Sequence, residues 1–216
     1  MKTEHKLAET LREMMQETPL DEISVVALTK RCHIYRQTFY YHFHDVYDLL
    51  TLVYLDERIK NIAYVKTLRD LVIVIYRYYE ANTAFVDASL SSAGKDLFQE
   101  FIYNNCYTTI LKLVNETKDN KRILSNDRKS VARFYALAYA HSTVYYLSVF
   151  KNKSLEGLLD SFCFIKDNDL QKAVQNYIEY KGMPKNDRFW FCITNKGVFW
   201  KRKRETNWRN LQRIFI

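Results

Sequence analysis

RCHIYRQTFYYHFHDVYDLL, residues 31–50, sets Tyr35, Phe39, Tyr40, Tyr41, Phe43 and Tyr47 among Arg31, Arg36 and three histidines. Such a stretch can be a piece of hydrophobic core, a metal site, or a surface that reads a nucleic acid. Helical spacing separates these readings. Phe39 and Phe43 stand four apart and share a face that Leu50 can join from the next helix, so they read as core together with Tyr47. Arg36, Gln37, Tyr40 and Tyr41 fall on the other side. His42 and His44 are two residues apart, point to different sides of a helix, and make a poor metal pair.

The flanks define short helices around this stretch. Leu7, Leu11, Met14 and Met15 recur at helical spacing, which predicts a first helix over 4–17, broken by Thr18-Pro19-Leu20-Asp21. Ser24 can cap a second helix, with Ile23 before it stapled to Leu28 inside. His33 and Ile34 interrupt that helix. A third starts at Tyr35 or Arg36 and runs to His42. Asp45 can cap a fourth, with Asp48 favouring its positive end and Leu49, Leu50, Val53 and Tyr54 continuing it to about Asn61. The second and third helices, joined by a tight turn, have helix-turn-helix dimensions.

Ile34-Tyr-Arg-Gln-Thr-Phe-Tyr-Tyr-His-Phe43, followed by Asp45-Val-Tyr-Asp-Leu-Leu50, resembles the N-terminal domain of the TetR family of bacterial transcription regulators. The resemblance covers roughly residues 4–62. Within that family, the wording looks most like the dihydroxyacetone-kinase operon regulators. It implies an N-terminal three-helix DNA-binding domain over 1–45 and a larger helical effector-binding and dimerisation domain over 46–181. It also implies a homodimer on a palindromic operator, with dimer contacts from about 127–181. The resemblance and the helical face together nominate Tyr35, Arg36, Gln37, Thr38, Tyr40, Tyr41 and His42 as DNA-binding residues. Arg pairs bidentately with a guanine edge and Gln with adenine, while Tyr and His donate to phosphates. Residues 30–44 carry Lys30, Arg31 and Arg36 and no acid, as local phosphate contact requires.

Three positions depart from the family wording. His33 replaces the turn glycine, and His tolerates a left-handed backbone better than most residues. Tyr35 stands where the family has Ser. Val46 stands where a basic residue commonly opens the fourth helix, removing one expected phosphate partner. Residues 1–60 as a whole hold 8 basic and 10 acidic side chains. An alternative therefore stays open, a helical protein-interaction module with weakened or lost DNA binding.

The remainder reads as helix. Only 4 Gly and 2 Pro in 216 residues argue against a turn-dense β architecture, and 48% hydrophobic content argues against wholesale disorder. The stretch 67–82 is apolar almost all round and predicts a central buried helix. Further helices are expected over 95–118 and 127–150, and one or two over 154–181, broken near Asp167-Asn168-Asp169. Small residues alternate with aromatics at Ala132, Phe134, Ala136 and Ala140, the expected dimer seam. Tyr76, Tyr78, Tyr79, Tyr103 and Tyr107 either line an apolar pocket with polar tips or fill a core. The sequence names no ligand-binding residue. The effector can be a small molecule or, from the narrower resemblance, a partner protein that senses dihydroxyacetone.

The net charge of +8 is localised. Residues 1–180 balance, whereas 181–216 carry ten Lys and Arg against Asp187 and Glu205, with all three tryptophans. Gly182 and Pro184 mark the boundary of this basic extension, 182–216. Residues 188–201 read as a short β-hairpin around Asn195-Lys196-Gly197, followed by a possible short helix. Cys32, Cys106, Cys163 and Cys192 form no paired motif and read as reduced thiols of a cytoplasmic protein. No signal peptide, membrane span, phosphate loop, nucleophile motif or metal cluster is legible. The expectation is therefore an all-α regulator, not an enzyme, with no cofactor and no metal.

Overall fold

The computed structural model describes residues 3–184, and every regular element among them is helical. The hairpin, short helix and basic tryptophan-rich stretch expected beyond Pro184 lie outside the described residues.

Four helices build the N-terminal unit: α1 (Thr3–Met14), α2 (Val25–Arg31), α3 (Arg36–His42) and α4 (Val46–Asp56). Their starts follow local side-chain chemistry. Ser24 Oγ accepts from the Ala27 amide at 3.1 Å, and Asp45 Oδ1 accepts from the Asp48 amide at 2.8 Å. Leu7, Leu11, Leu28, Phe39, Leu49 and Leu50 are fully buried and form the unit's core. Each such side chain contributes roughly 1.5–3 kcal/mol on burial.

Two boundaries differ from the periodic pattern. The first helix stops at Met14, because the Thr18 amide turns back to the Met14 carbonyl at 2.9 Å ahead of Pro19. The fourth stops at Asp56 rather than near Asn61. There Glu57 leaves the helix with ψ 144°, Arg58 donates to the Leu55 carbonyl at 2.8 Å, and Asn61 adopts a left-handed φ of 64°.

The body holds α5 (Leu68–Ala81), α6 (Thr83–Leu90), α7 (Lys95–Glu116), α8 (Ser125–Val149), α9 (Leu155–Asp160) and α10 (Asp169–Gly182). Thr67 and Asp70 open α5 with a reciprocal capping box, each side chain accepting the other's amide at 3.0 Å. That helix is amphipathic rather than apolar all round: Leu71, Val72 and Ile75 are buried, whereas Arg69, Arg77 and Glu80 reach solvent. The most extensive packing joins α7 to α8. Ala132, Ala136 and Ala140 are fully buried at successive turns of α8, which lets α7 approach closely. These alanines therefore serve the protomer's own core and are not surface residues open to a second copy.

Helix α4 packs on both α1 and α7 and joins the N-terminal unit to the body. Tyr54 on α4 sits 5.4 Å from Phe85, 6.0 Å from Phe98 and 5.3 Å from Phe101, ring centre to ring centre. Its buried hydroxyl donates to Ser89 Oγ at 2.6 Å. No helix among the described residues is long and apolar enough to cross a membrane.

Candidate nucleic-acid interface

The α2–α3 turn is built on His33. Its φ is 53°, the left-handed region that the turn glycine would otherwise fill. The His33 amide donates to the Lys30 carbonyl at 3.2 Å and the Ile34 amide to the Thr29 carbonyl at 3.0 Å. Both bonds together form a Schellman motif, with Ile34 packed against the core beyond it. The turn sets α3 off from α2 while keeping its inner face buried.

On α3 the two faces separate by burial. Phe39 is fully buried, Phe43 is buried beside it with ring centres 5.7 Å apart, and neither reaches solvent. On the outer side Tyr35 is 85% exposed, Tyr41 84% and Tyr40 55%, and Arg36 and Gln37 are also exposed. Thr38 is half-buried between the faces. Three large aromatic side chains held in water on and beside one short helix require another explanation than folding. Neither Arg36 nor Gln37 bonds another described side chain, so both are free for an external partner.

His42 differs from its neighbours. Its Nδ1 lies 3.2 Å from Glu4 Oε1 on α1, so the ring braces α3 against α1 and presents only its second nitrogen outward. Arg31 similarly pairs with Glu17 at 3.2 Å. Tyr47 is half-buried rather than core, and its hydroxyl donates to Asp21. That bond to a carboxylate, with burial, pushes its phenol up to about 12. Val46 is buried, so the position that would carry a cation points into the domain. His42 and His44 do not gather further ligands, and no group of three or more potential metal ligands occurs among the described residues.

Arg12 is a residue that sequence reasoning passed over. Its guanidinium pairs with Glu57 just after α4, donates to Asn82 Oδ1 at 2.6 Å, and lies 4.7 Å over the Phe85 ring. One side chain on α1 thus meets α4's end and the α5–α6 junction. No signal in the chain points to it, because its partners lie 45 and 70 positions away.

The tyrosine group in the body is mainly core. Tyr76, Tyr78 and Tyr79 are buried, and Tyr103 and Tyr107 stack on each other at 6.1 Å. None of the five lines the cavities found in the body. A further exposed apolar feature lies on α8, where Phe134 (69% exposed), Leu137, Tyr145 (61%) and Val149 face solvent on one side.

Residues 66–151 match a TetR-type family model described as "Transcriptional regulator C-terminal region". A search of curated protein sequences finds no match. Among solved structures the fold is similar to that of the "Dihydroxyacetone kinase operon activator DhaS". The TM-score is 0.53 and the sequences are 19% identical, over 80% of this chain and 96% of that one. At that identity the likeness speaks for the fold alone. The regulator region matched over α5–α8, with a helix-turn-helix unit ahead of it, supports a TetR family transcriptional regulator.

Proposed function

We infer that the protein acts as a homodimer in the cytoplasm, binding a palindromic operator through α3 under the control of a small ligand or a partner protein. The observation that carries this reading is the division of α3: Phe39 and Phe43 buried, Tyr35, Arg36, Gln37, Tyr40 and Tyr41 exposed. Arg36 and Gln37 are the base-reading pair. Tyr40, Tyr41, Thr38 and the outward nitrogen of His42 fix register on phosphates, and Tyr35 at the helix start adds a contact of its own. Residues 1–45 carry this activity, 46–181 the effector and dimer functions, and 182–216 a basic extension. A two-fold axis would set two copies of α3 into successive major-groove faces.

Fluorescence anisotropy with the DNA upstream of the protein's own coding sequence tests the reading. Affinity should fall linearly with the logarithm of salt concentration. Arg36→Ala should weaken binding about tenfold to a hundredfold and relax the sequence preference. Tyr40→Phe should weaken it uniformly. Unchanged binding in both variants would remove α3 from the interface. Because the structural neighbour's name describes an operon activator, a promoter-reporter assay should look for activation as well as repression.

A second reading is an interaction module without DNA binding. It is favoured by the buried Val46 and by the engagement of His42 with Glu4. A chain that dimerises yet shows no salt-dependent affinity for any member of a random DNA pool would select it.

A further inference from the structure

A cavity of about 210 Å³ opens where α5, α8 and the segment after α9 meet. Its apolar wall is made by Leu68 and Val72 of α5, Tyr139 of α8, and Phe162 and Ile165 of the α9–α10 connection. Tyr139 is 1% exposed and stacks on Phe162 at 4.7 Å with the rings nearly parallel. Its hydroxyl has no hydrogen-bond partner among the described residues, although phenols this deep in a fold normally find one. Burial drives its pKa upward, so it stays a neutral donor in want of an acceptor.

The rim is charged. Arg69 and Lys166 border the opening together with Asp167, and all three side chains are exposed. Arg69 and Asp167 make no ion pair or hydrogen bond with described residues; the Lys166 ammonium reaches the Cys163 carbonyl at 3.5 Å, and the Lys166 amide donates to Asp169 Oδ2 at 2.8 Å. Two cations, Arg69 and Lys166, thus stand at the rim with the carboxylates of Asp167 and Asp169 beside them. The volume lies below the roughly 300–1,000 Å³ of sites for drug-sized molecules.

We propose that this cavity is the effector site and that it takes a compact monocarboxylate with an aromatic or branched apolar body. The body lies against Val72, Tyr139 and Phe162. The carboxylate accepts from the Tyr139 hydroxyl and faces Arg69 and Lys166. A neutral amide of the same shape lacks the charge that the rim selects, and a dianion meets Asp167. The proposal deepens the effector part of the reading above, and it is measured without DNA, so either can fail alone.

Cys163 supplies the probe, since its exposed thiol belongs to a residue lining the cavity, whereas Cys32 and Cys106 are fully buried. The full-length Cys192→Ser protein is alkylated with N-ethylmaleimide in the presence of benzoate, phenylacetate or 4-methylpentanoate, and its melting temperature is measured alongside. At least one acid should slow alkylation of Cys163 severalfold and raise the melting temperature, while benzamide and acetate do neither. Arg69→Gln, an exposed change, and Tyr139→Phe, a near-isosteric one, should each remove most of the protection. The proposal is overturned if no acid protects, if benzamide protects equally, or if protection survives in both variants.

Discussion

The Arg12 guanidinium on α1 donates to Asn82 Oδ1, 2.6 Å away at the junction of α5 and α6. With its Glu57 ion pair and the Phe85 ring beneath it, this places a single charged group across the boundary between the N-terminal unit and the body. The side chains of Arg12 and Glu57 are 28% and 14% exposed, so solvent screens the pair only in part. Arg12→Ala should therefore destabilise the protein by about 2 kcal/mol, since it strands a largely buried carboxylate. Arg12→Lys should recover less than half of that, because an ammonium cannot span Glu57 and Asn82 with a planar fork. Urea unfolding of both variants measures it, and a loss under ~0.5 kcal/mol for Arg12→Ala would make the contact incidental.

His33 gives a prediction of the opposite sign. A non-glycine residue in the left-handed region costs on the order of 1–2 kcal/mol, and glycine returns part of this as unfolded-state entropy. His33→Gly should then stabilise the protein by about 0.5–1 kcal/mol. His33→Val, branched at Cβ, should destabilise it by more than that. Thermal unfolding distinguishes the two, and a His33→Gly protein that melts lower than the parent would mean that the histidine ring holds the turn by a contact of its own.

Local chemistry of this kind is what the sequence makes legible. Ser24, Asp45 and the left-handed His33 each act on amides within a few positions, so their roles follow from neighbours in the chain. The two-faced α3 is legible for the same reason. Long-range matters were less so. Helix α4 ends early because Glu57 turns out of it toward Arg12, a partner remote in sequence. Helix α8 carries apolar side chains on two sides, Ala132, Ala136 and Ala140 within and Phe134 and Tyr145 without. With no polar face to orient it, periodicity alone merged its core side with its surface side.

Two buried hydroxyls should respond oppositely to removal. Ser89 accepts from Tyr54 and donates to the Phe85 carbonyl at 3.1 Å, so Ser89→Ala breaks a satisfied chain and leaves the tyrosine unpaired. The cost should be about 1–2 kcal/mol. Thr143 is fully buried and its hydroxyl has no partner. Thr143→Val keeps the shape and should stabilise by up to ~1 kcal/mol. Denaturant midpoints compare them directly, and a destabilised Thr143→Val would point to a bound water on that hydroxyl.

Burial pushes the Cys106 thiol from 9.0 up to about 12. The folded state thus favours the protonated thiol. Its contribution is fully present below pH 9 and is lost as the pH rises from 9 toward 12, while the unfolded chain ionises first. At pH 10 this amounts to about 1 kcal/mol. Cys106→Ala should be less stable than the parent at pH 8 but lose less stability between pH 8 and pH 10. Parallel slopes for the two proteins over that interval would contradict the buried thiol's role.

The exposed side of α8 bears the dimer expectation. At 100° per residue, Phe134, Leu137, Ala138, Tyr145 and Val149 fall within an arc of about 120°, a largely apolar strip on one long helix that His141 and Ser148 interrupt. Phe134 and Tyr145 are 69% and 61% exposed, a costly arrangement for an isolated protomer and an ordinary one for a surface covered by its own symmetry mate. A carboxylate at either position would meet its twin or an apolar neighbour across a two-fold axis, without disturbing a core that it does not enter. The Phe134→Glu/Tyr145→Glu protein should therefore sediment as a monomer with undiminished helical content, and its operator affinity should drop at least tenfold, because one α3 alone reads half a site. Lys129→Glu lies outside the strip's arc and should leave the dimer intact. Sedimentation velocity decides the matter: a parent chain that is monomeric at micromolar concentration, or a double variant that remains dimeric, would take the two-fold contact away from this face of α8.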